Sequence, residues 1–433
     1  MSDFGDKNVF LVLIKLDLED NNPLGTPRSG VQCLPRMEAA GKYALIAALL
    51  DSSQQTTRTP LTPILFNSPE RKESYNKIVS RFELLIERFY ESPDGFTSDP
   101  SRLNSRQQEL VYSEIRGIGR DIFDLIPNKS PICGWFNALF GDPEQQDTVS
   151  RRAEAQHLTI ITNDFNIPWY WMRVGGSDRL LCEVCSLGML QLANRNAMEV
   201  DTDFDQSPGL NADTALRVLL INGSGESNLP FVDEELRSLT DFLKKGKDRP
   251  RRRLRPFDVD SAESVGSLLA LKRARRKVER RALYRLCHYS GHWNYENREL
   301  LIGGERLEFD EIKDFVDSAV LALDGCSSSQ GLQAWSEIEN LTGKLLNLGA
   351  LGCVVTTLPV KDDPIVSKVF WEALYGELLA ESAPATLGQA LVKGRKALKE
   401  HFKRVGSKNP VWAFYQLIGN PSVRLLDESS NRE

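Results

Sequence analysis

The residues best able to do chemistry in this chain are a histidine and a cysteine that follow two apolar segments. His292 comes after the segment 282–287 and the small-residue run 289–291, and Cys326 comes shortly after the segment 320–323. A thiolate attacks carbonyl carbon, and a neighbouring imidazole increases the thiolate fraction and protonates a departing amine. The two residues therefore predict acyl transfer, such as hydrolysis of a peptide bond, provided that they share one cleft.

Both apolar segments are predicted to be strands of a mostly parallel sheet. From residue 211 onwards, strands alternate with helices, which is typical of βαβ units. Strands are predicted at 216–222, 282–287, 320–323 and 352–358, and helices at 231–245, 268–278, 340–348, 363–380 and 386–402. Ligands of open α/β sheets bind at the carboxyl ends of the strands, so neighbouring strands would bring the thiol and the imidazole together there.

The first half of the chain has a less regular pattern. Its apolar spacing predicts strands at 9–16 and 158–162 and helices at 36–50, 75–89 and 110–123. An acidic, turn-rich stretch at 199–213 suggests a boundary. We therefore predict two portions, residues 1–210 and residues 211–433.

Composition excludes several classes of function. The formal net charge is −6, which disfavours a general electrostatic nucleic-acid binder. No signal peptide and no apolar run long enough for a membrane helix is seen, and an odd number of cysteines, 7, without a disulfide spacing favours the reducing cytoplasm. The pair Cys182 and Cys185 lacks the second pair that a zinc site needs, so we interpret it as two structural thiols, and we predict no metal and no cofactor.

Three residues in and near these motifs have more than one interpretation. Cys326 taken alone is typical of a small core residue, since free cysteine is among the most buried types. His288 is either a packed histidine that hydrogen-bonds backbone or a catalytic group. Asp324 lies two residues before Cys326 and faces the same side of an extended strand, so its carboxylate either lines a substrate pocket or caps local turn N–H groups.

Several segments together resemble the CHAT family, caspase-like peptidases of the clan that includes caspases, metacaspases and separases. The resemblance runs from about Leu158 to Leu426. The segments that carry it are Leu158–Ile161 with Ile167–Trp169, Leu216–Gly223, His288–His292, Leu323–Ser328, Asn347–Asp363 and Asn409–Pro421. The order of the histidine and cysteine motifs and the separation of 34 positions from His292 to Cys326 agree with that family.

The resemblance implies an α/β, caspase-like sheet flanked by helices, with residues 1–210 as a helper or pseudo-peptidase portion. It also implies that His292 is catalytic and that Cys326 is the nucleophile. The backbone N–H groups of Cys326 and of Trp293 would form the oxyanion hole. Trp293 departs from the family, which usually has glycine there; the N–H survives, but a large side chain is added. Asp324 resembles the metacaspase Asp-x-Cys element, which implies cleavage after arginine or lysine.

By the same resemblance, the expected activity is that of a cytoplasmic cysteine endopeptidase acting on a protein substrate. An activating partner or signal is expected, in prokaryotic defence or regulated cell death. The alternative is a weak or inactive CHAT-like scaffold that binds a protein partner, which the tryptophan favours.

Basic residues are concentrated in the segment 249–281. Three interpretations remain open for it: a solvated face, a processing or regulatory loop, and contact with RNA or another polyanion. Aromatic residues are not interleaved with the arginines, so a nucleic acid is expected to bind only weakly or indirectly.

Overall fold

The structure is a computed structural model that describes a large part of the chain. The described residues are 7–17, 43–51, 62–65, 69–90, 104–126, 133, 136, 156–162, 167–174, 179–191, 216–224, 231–246, 254, 257–276, 284–291, 293–294, 299–317, 319–324, 341–357, 364–381 and 383–425. His292, Cys326 and the predicted boundary at residue 210 lie outside them, as does the side chain of Trp293.

Fourteen strands are present among the described residues. They are β1 (Lys7–Asp17), β2 (Tyr43–Asp51), β3 (Thr62–Leu65), β4 (Gln156–Thr162), β5 (Ser186–Gln191), β6 (Leu216–Gly223), β7 (Phe257–Ala262), β8 (Leu286–Gly291), β9 (Trp293–Asn294), β10 (Glu299–Ile302), β11 (Glu305–Glu308), β12 (Val320–Asp324), β13 (Gly352–Thr356) and β14 (Tyr415–Gly419). The α-helices are α1 (Pro69–Tyr90), α2 (Ser105–Asp124), α3 (Leu181–Val184), α4 (Val232–Lys245), α5 (Val265–Arg276), α6 (Lys313–Val316), α7 (Pro364–Leu378) and α8 (Leu387–Arg404), and residues 341–347 are also helical.

Eleven of these strands form one continuous sheet in the order β3-β2-β1-β4-β5-β14-β13-β12-β8-β6-β7. Pairing is antiparallel for β1 with β2, β2 with β3 and β13 with β14, and parallel elsewhere in the sheet. The predicted α/β class with a mostly parallel sheet flanked by helices is therefore confirmed. Strands from the two predicted portions meet where β5 pairs with β14, so both portions contribute to one sheet.

The central strands are buried because they are covered on both faces. All residues of β8 and β12 are buried, as parallel strands between two helical layers must be. On one face, side chains of α4 and α7 contact β8 and β12. On the other face, Cys287 and Leu323 line a small apolar cavity together with Phe315 of α6.

The helix predicted over 36–50 is wrong where the structure describes it, because residues 43–51 are β2. Alanine and leucine favour a helix locally, but this segment pairs antiparallel with β1, with Leu49 opposite Leu11. The strand predicted at 282–287 is displaced: β8 spans Leu286–Gly291, so the supposed turn residues before His292 belong to the strand itself.

Candidate active site

The ends of β8 and β12 lie side by side in the centre of the sheet. The strands are parallel neighbours, and Ser290 is the register partner of Asp324. His292 follows Ser290 by two residues, and Cys326 follows Asp324 by two residues. The expectation that the histidine and cysteine strands are neighbours is confirmed, while the positions of His292 and Cys326 themselves lie outside the described residues.

A pair of glycines allows β6 and β8 to approach closely just before His292. Gly223 and Gly291 are register partners, and a Cβ added to Gly291 would lie 2.4 Å from the Cα of Gly223. Gly291 also has a φ of +156°, which side-chain-bearing residues rarely adopt. A Cβ added to Gly223 would in turn meet the hydroxyl of Tyr289 at 2.4 Å. Both positions therefore require glycine for the present path of the strand end.

A three-stranded sheet of β9, β10 and β11 follows directly after the histidine. The backbone of Trp293 belongs to β9 and pairs with Leu300 of β10. Tyr289 donates its hydroxyl hydrogen to the carbonyl oxygen of Leu301 at 2.9 Å, which fastens β10 to β8. The residue predicted to supply an oxyanion N–H is thus part of a small sheet attached to the strand that precedes the histidine; that predicted role remains a prediction.

His288 lies fully buried inside β8 and is bonded through both ring nitrogens. Its Nδ1 is 2.7 Å from the hydroxyl of Tyr375 in α7, and its Nε2 is 2.9 Å from Oε1 of Glu235 in α4. Burial lowers the pKa of His288 to about 4, against the opposing effect of Asp324, so the imidazole is neutral at neutral pH. The packed-histidine interpretation thus needs one change, because the ring nitrogens bond to side chains of two helices and not to backbone.

Glu235 is the residue that sequence reasoning missed. Its carboxylate is buried and accepts a hydrogen bond from Ser290 Oγ at 2.9 Å on the oxygen that does not face His288. The residue lies in the first turn of α4, where an acidic side chain is common because it is favoured by the helix dipole. The available signal was its spacing: Glu235 falls on the same helix face as the buried Val232 and Leu239.

Asp324 is the last residue of β12, and its carboxylate is also buried. Its Oδ2 accepts hydrogen bonds from Trp371 Nε1 at 2.5 Å and from Ser367 Oγ at 3.0 Å, both in α7. Burial, reinforced by the charge of Glu235, raises the pKa of Asp324 to about 7. These two bonds come from helix side chains, whereas one sequence interpretation expected local turn N–H groups. The substrate-binding interpretation remains a prediction.

The described cysteines have the properties of structural thiols. Cys133, Cys182, Cys185, Cys287 and Cys353 are all free and buried. Burial raises the pKa of Cys182 to about 12 and also raises the pKa values of Cys185, Cys287 and Cys353. These thiols are therefore protonated at neutral pH, and Cys182 and Cys185 lack the lowered pKa of a redox motif.

Two negative findings concern the described part of the chain. No group of three or more His, Cys, Asp or Glu side chains is placed there to hold a metal ion. No described helix combines the length and the apolar character needed to cross a membrane.

Residues 249–253, 255–256 and 277–281 of the basic segment lie outside the described residues, and the rest of it is described. Leu254 is buried, and its backbone N–H donates a hydrogen bond of 3.2 Å to the carbonyl oxygen of Gly246. In α5, Lys272 forms an ion pair of 2.7 Å with Asp314. These contacts leave the three interpretations of the segment open.

Comparison with known proteins gives structural matches only. No protein-family model and no curated protein matches the sequence. One structural match is the Arg-specific cysteine proteinase gingipain R, at 13% identity and a TM-score of 0.35, covering 62% of this chain and 63% of that one. Another is a structure described only as a protease, at 11% identity and a TM-score of 0.42, covering 62% of this chain and 64% of that one. In both cases the chain spans less than two thirds of the matched protein.

Proposed function

We propose that this protein is a cysteine endopeptidase of the CHAT, caspase-like type, with Cys326 as nucleophile and His292 as general acid and base. The observation that carries the proposal is the in-register pairing of Ser290 with Asp324, because the proposed catalytic residues each follow that pair by two residues. Crevices at the carboxyl ends of parallel strands are where open α/β sheets bind ligands. The motif resemblance independently assigns the same two residues.

The proposed chemistry is hydrolysis through a thioester. The Cys326 thiolate attacks the scissile carbonyl carbon, and the backbone N–H groups of Cys326 and Trp293 stabilise the oxyanion. His292 gives a proton to the departing amine, and the C–N bond breaks. A water molecule, deprotonated by His292, then attacks the thioester and releases the free thiol and the new carboxylate. These reaction steps need no metal or cofactor.

Asp324 is the proposed acid on the substrate side, with preference for arginine or lysine before the scissile bond. Trp371 and Ser367 both bond to Oδ2, which fixes the plane of the carboxylate. A substrate cation would be met by the other oxygen and would favour the ionised form of a group whose pKa burial has raised to about 7. The substrate is a protein, and activation by a partner protein in prokaryotic defence or regulated cell death follows from the resemblance.

Thiol labelling followed by mass spectrometry tests the proposal. The five described thiols are buried, so a peptide-like chloromethyl ketone with arginine at its reactive end should modify Cys326 in the native protein. We expect modification to be lost in Cys326→Ala and strongly slowed in His292→Ala. Cys33→Ala, which removes the other cysteine outside the described residues, is the matched control and should label as the wild type does. Equal labelling of wild type and His292→Ala would contradict the proposed dyad.

A protein-binding scaffold without activity is the second candidate, and the tryptophan at position 293 favours it. Trp293→Gly separates the two functions because it restores the residue that the resembled family usually has. If the wild type is inactive and Trp293→Gly remains inactive towards arginine and lysine peptides, the scaffold replaces the peptidase. A wild type that cleaves these peptides in a Cys326-dependent manner removes the scaffold.

A further inference from the structure

A charged side chain in the core needs a reason, because removing a carboxylate from water is costly unless its partners compensate. Glu235 is 3% exposed, yet it lies in the first turn of a helix whose neighbouring acids, Asp233 and Glu234, are exposed. The N-terminus of α4 offsets part of the cost, since a helix favours negative charge there. The remaining cost of burial must be offset by the groups that donate hydrogen bonds to the carboxylate.

One carboxylate holds two residues of the same strand. Glu235 Oε1 faces His288 Nε2 at 2.9 Å, and Oε2 accepts from Ser290 Oγ at 2.9 Å. His288 and Ser290 are two residues apart in β8 and point to the same face. The carboxylate thus links the last two residues of β8 that face α4, His288 and Ser290, to that helix. His292 follows two residues after Ser290.

Helix α7 contacts both the His288 side chain on β8 and the end of the neighbouring strand β12. Ser367, Trp371 and Tyr375 recur every four residues and form one face of α7. Tyr375 reaches His288 on β8, while Ser367 and Trp371 reach Asp324 on β12. The ring of Trp371 also meets the ring of His288 edge to face, with centroids 4.9 Å apart. Both strand ends are therefore fixed against the same helix.

The hydrogens in this network have a consistent assignment. With His288 neutral, its Nε2–H donates to the Glu235 carboxylate and its Nδ1 accepts from the Tyr375 hydroxyl. Ser290 donates to the second carboxylate oxygen. Each of these polar atoms is satisfied without a charged imidazole, and satisfied buried networks rigidify the elements that they join.

We propose that Glu235 is a positioning residue, which through His288 and Ser290 holds the end of β8, and with it His292, at a fixed separation from the end of β12. The inference deepens the proposed peptidase function and relies on it for one of its two tests. Glu235 contacts neither the substrate nor the reacting atoms in this scheme. Its effect on the reaction is on the placement of the general acid and base relative to the thiol.

The kinetic test uses Glu235→Gln, which keeps the shape of the side chain and removes its charge and one acceptor oxygen. We expect kcat per titrated active site to fall roughly 10–100-fold with KM unchanged, because small misplacements of reacting groups cost rate rather than binding. Glu234→Gln is the matched control, since it makes the same change at an exposed neighbouring position of α4. Ser290→Ala, which removes one of the two bonds to Glu235, should have a smaller effect of the same kind.

Hydrogen exchange provides a test that needs no activity. In Glu235→Gln, amide exchange should accelerate in the peptide that covers 286–291, while the melting temperature stays at or above that of the wild type. Unchanged exchange in this peptide, or acceleration spread evenly over the sheet with a lower melting temperature, would overturn the inference. If the wild type proves inactive, the proposed function fails by itself, and the exchange measurement still decides whether Glu235 fixes the strand end.

Discussion

Trp371 donates its indole N–H to the Oδ2 atom of Asp324 at 2.5 Å, joining α7 to the end of β12. The same indole packs against the ring of His288, which lies on the neighbouring strand. Two titratable groups whose pKa values are shifted in opposite directions thus contact the same indole ring. Burial raises the pKa of Asp324 to about 7 and lowers the pKa of His288 to about 4.

These shifts predict how stability depends on pH. The ordinary pKa values are 3.8 for Asp324 and 6.5 for His288. The Asp324 contribution is therefore full below about pH 3.8 and is lost as the pH rises through about 7. The His288 contribution is full above about pH 6.5 and is lost as the pH falls through about 4. Between roughly pH 4 and 6.5 unfolding transfers one proton from aspartic acid to histidine, so the two effects cancel.

Replacing either Asp324 or His288 should reveal the pH dependence of stability that the remaining group causes. In His288→Gln, the free energy of unfolding relative to the wild type should fall by about 1.4 kcal/mol for each pH unit between pH 4.5 and 6.5. In Asp324→Asn, the same difference should rise with pH by a similar amount. Glu235 and Tyr375, which also face His288, are retained in both variants. Urea titrations at several pH values measure both slopes, and parallel curves for wild type and variants would contradict the prediction.

Much of this site's scaffold could be predicted from local sequence, because apolar runs of strand length mark buried parallel strands. Such runs indicated the strands before His292 and Cys326, although the first was predicted at 282–287 and lies at 286–291. That β8 and β12 are neighbours was an assumption about the shared cleft, which the strand pairing bears out. The segment 43–51 could not be identified in this way, since alanine and leucine favour a helix while the strand depends on pairing with β1. Glu235 was missed because its burial depends on a histidine 53 residues later in the chain.

Asp324→Asn should also reduce cleavage after arginine. Loss of the charge that we propose to pair with the substrate cation should cost about 2–5 kcal/mol of transition-state binding, which lowers kcat/KM about 30-fold or more. Ser367→Ala is the control, because it removes a hydrogen bond to the same carboxylate and keeps the charge. Peptides that differ only in arginine or norleucine before the scissile bond provide the measurement. Asp324→Asn with wild-type kcat/KM on the arginine peptide would show that the carboxylate does not select the substrate.

Gly291→Ala should damage both stability and activity. The new Cβ would lie 2.4 Å from the Cα of Gly223, so β6 and β8 must separate just before His292. We expect a loss of about 2–5 kcal/mol, from overpacking and from the unfavourable φ together. Gly406→Ala is a matched control, because Gly406 also has a positive φ, +72°, but no heavy atom within 4 Å of an added Cβ. Equal losses in the two variants, measured by urea unfolding, would show that the close approach of the glycines contributes nothing.

Arg395 should stabilise the region where β5, from the first predicted portion, pairs with β14, from the second. Its buried guanidinium donates to the carbonyl oxygens of Cys182, at 2.9 Å, and of Tyr415, at 2.9 and 2.5 Å, linking α8 to α3 and β14. Arg395→Met leaves these carbonyls without their donors, at about 1–3 kcal/mol for each buried group, partly offset because a buried cation is removed. We therefore expect a net loss of about 2 kcal/mol, seen as a lower urea midpoint. Lys396→Met changes the exposed neighbouring cation and should stay within about 0.5 kcal/mol of the wild type. If both variants unfold at the same urea concentration, the guanidinium does not stabilise this region.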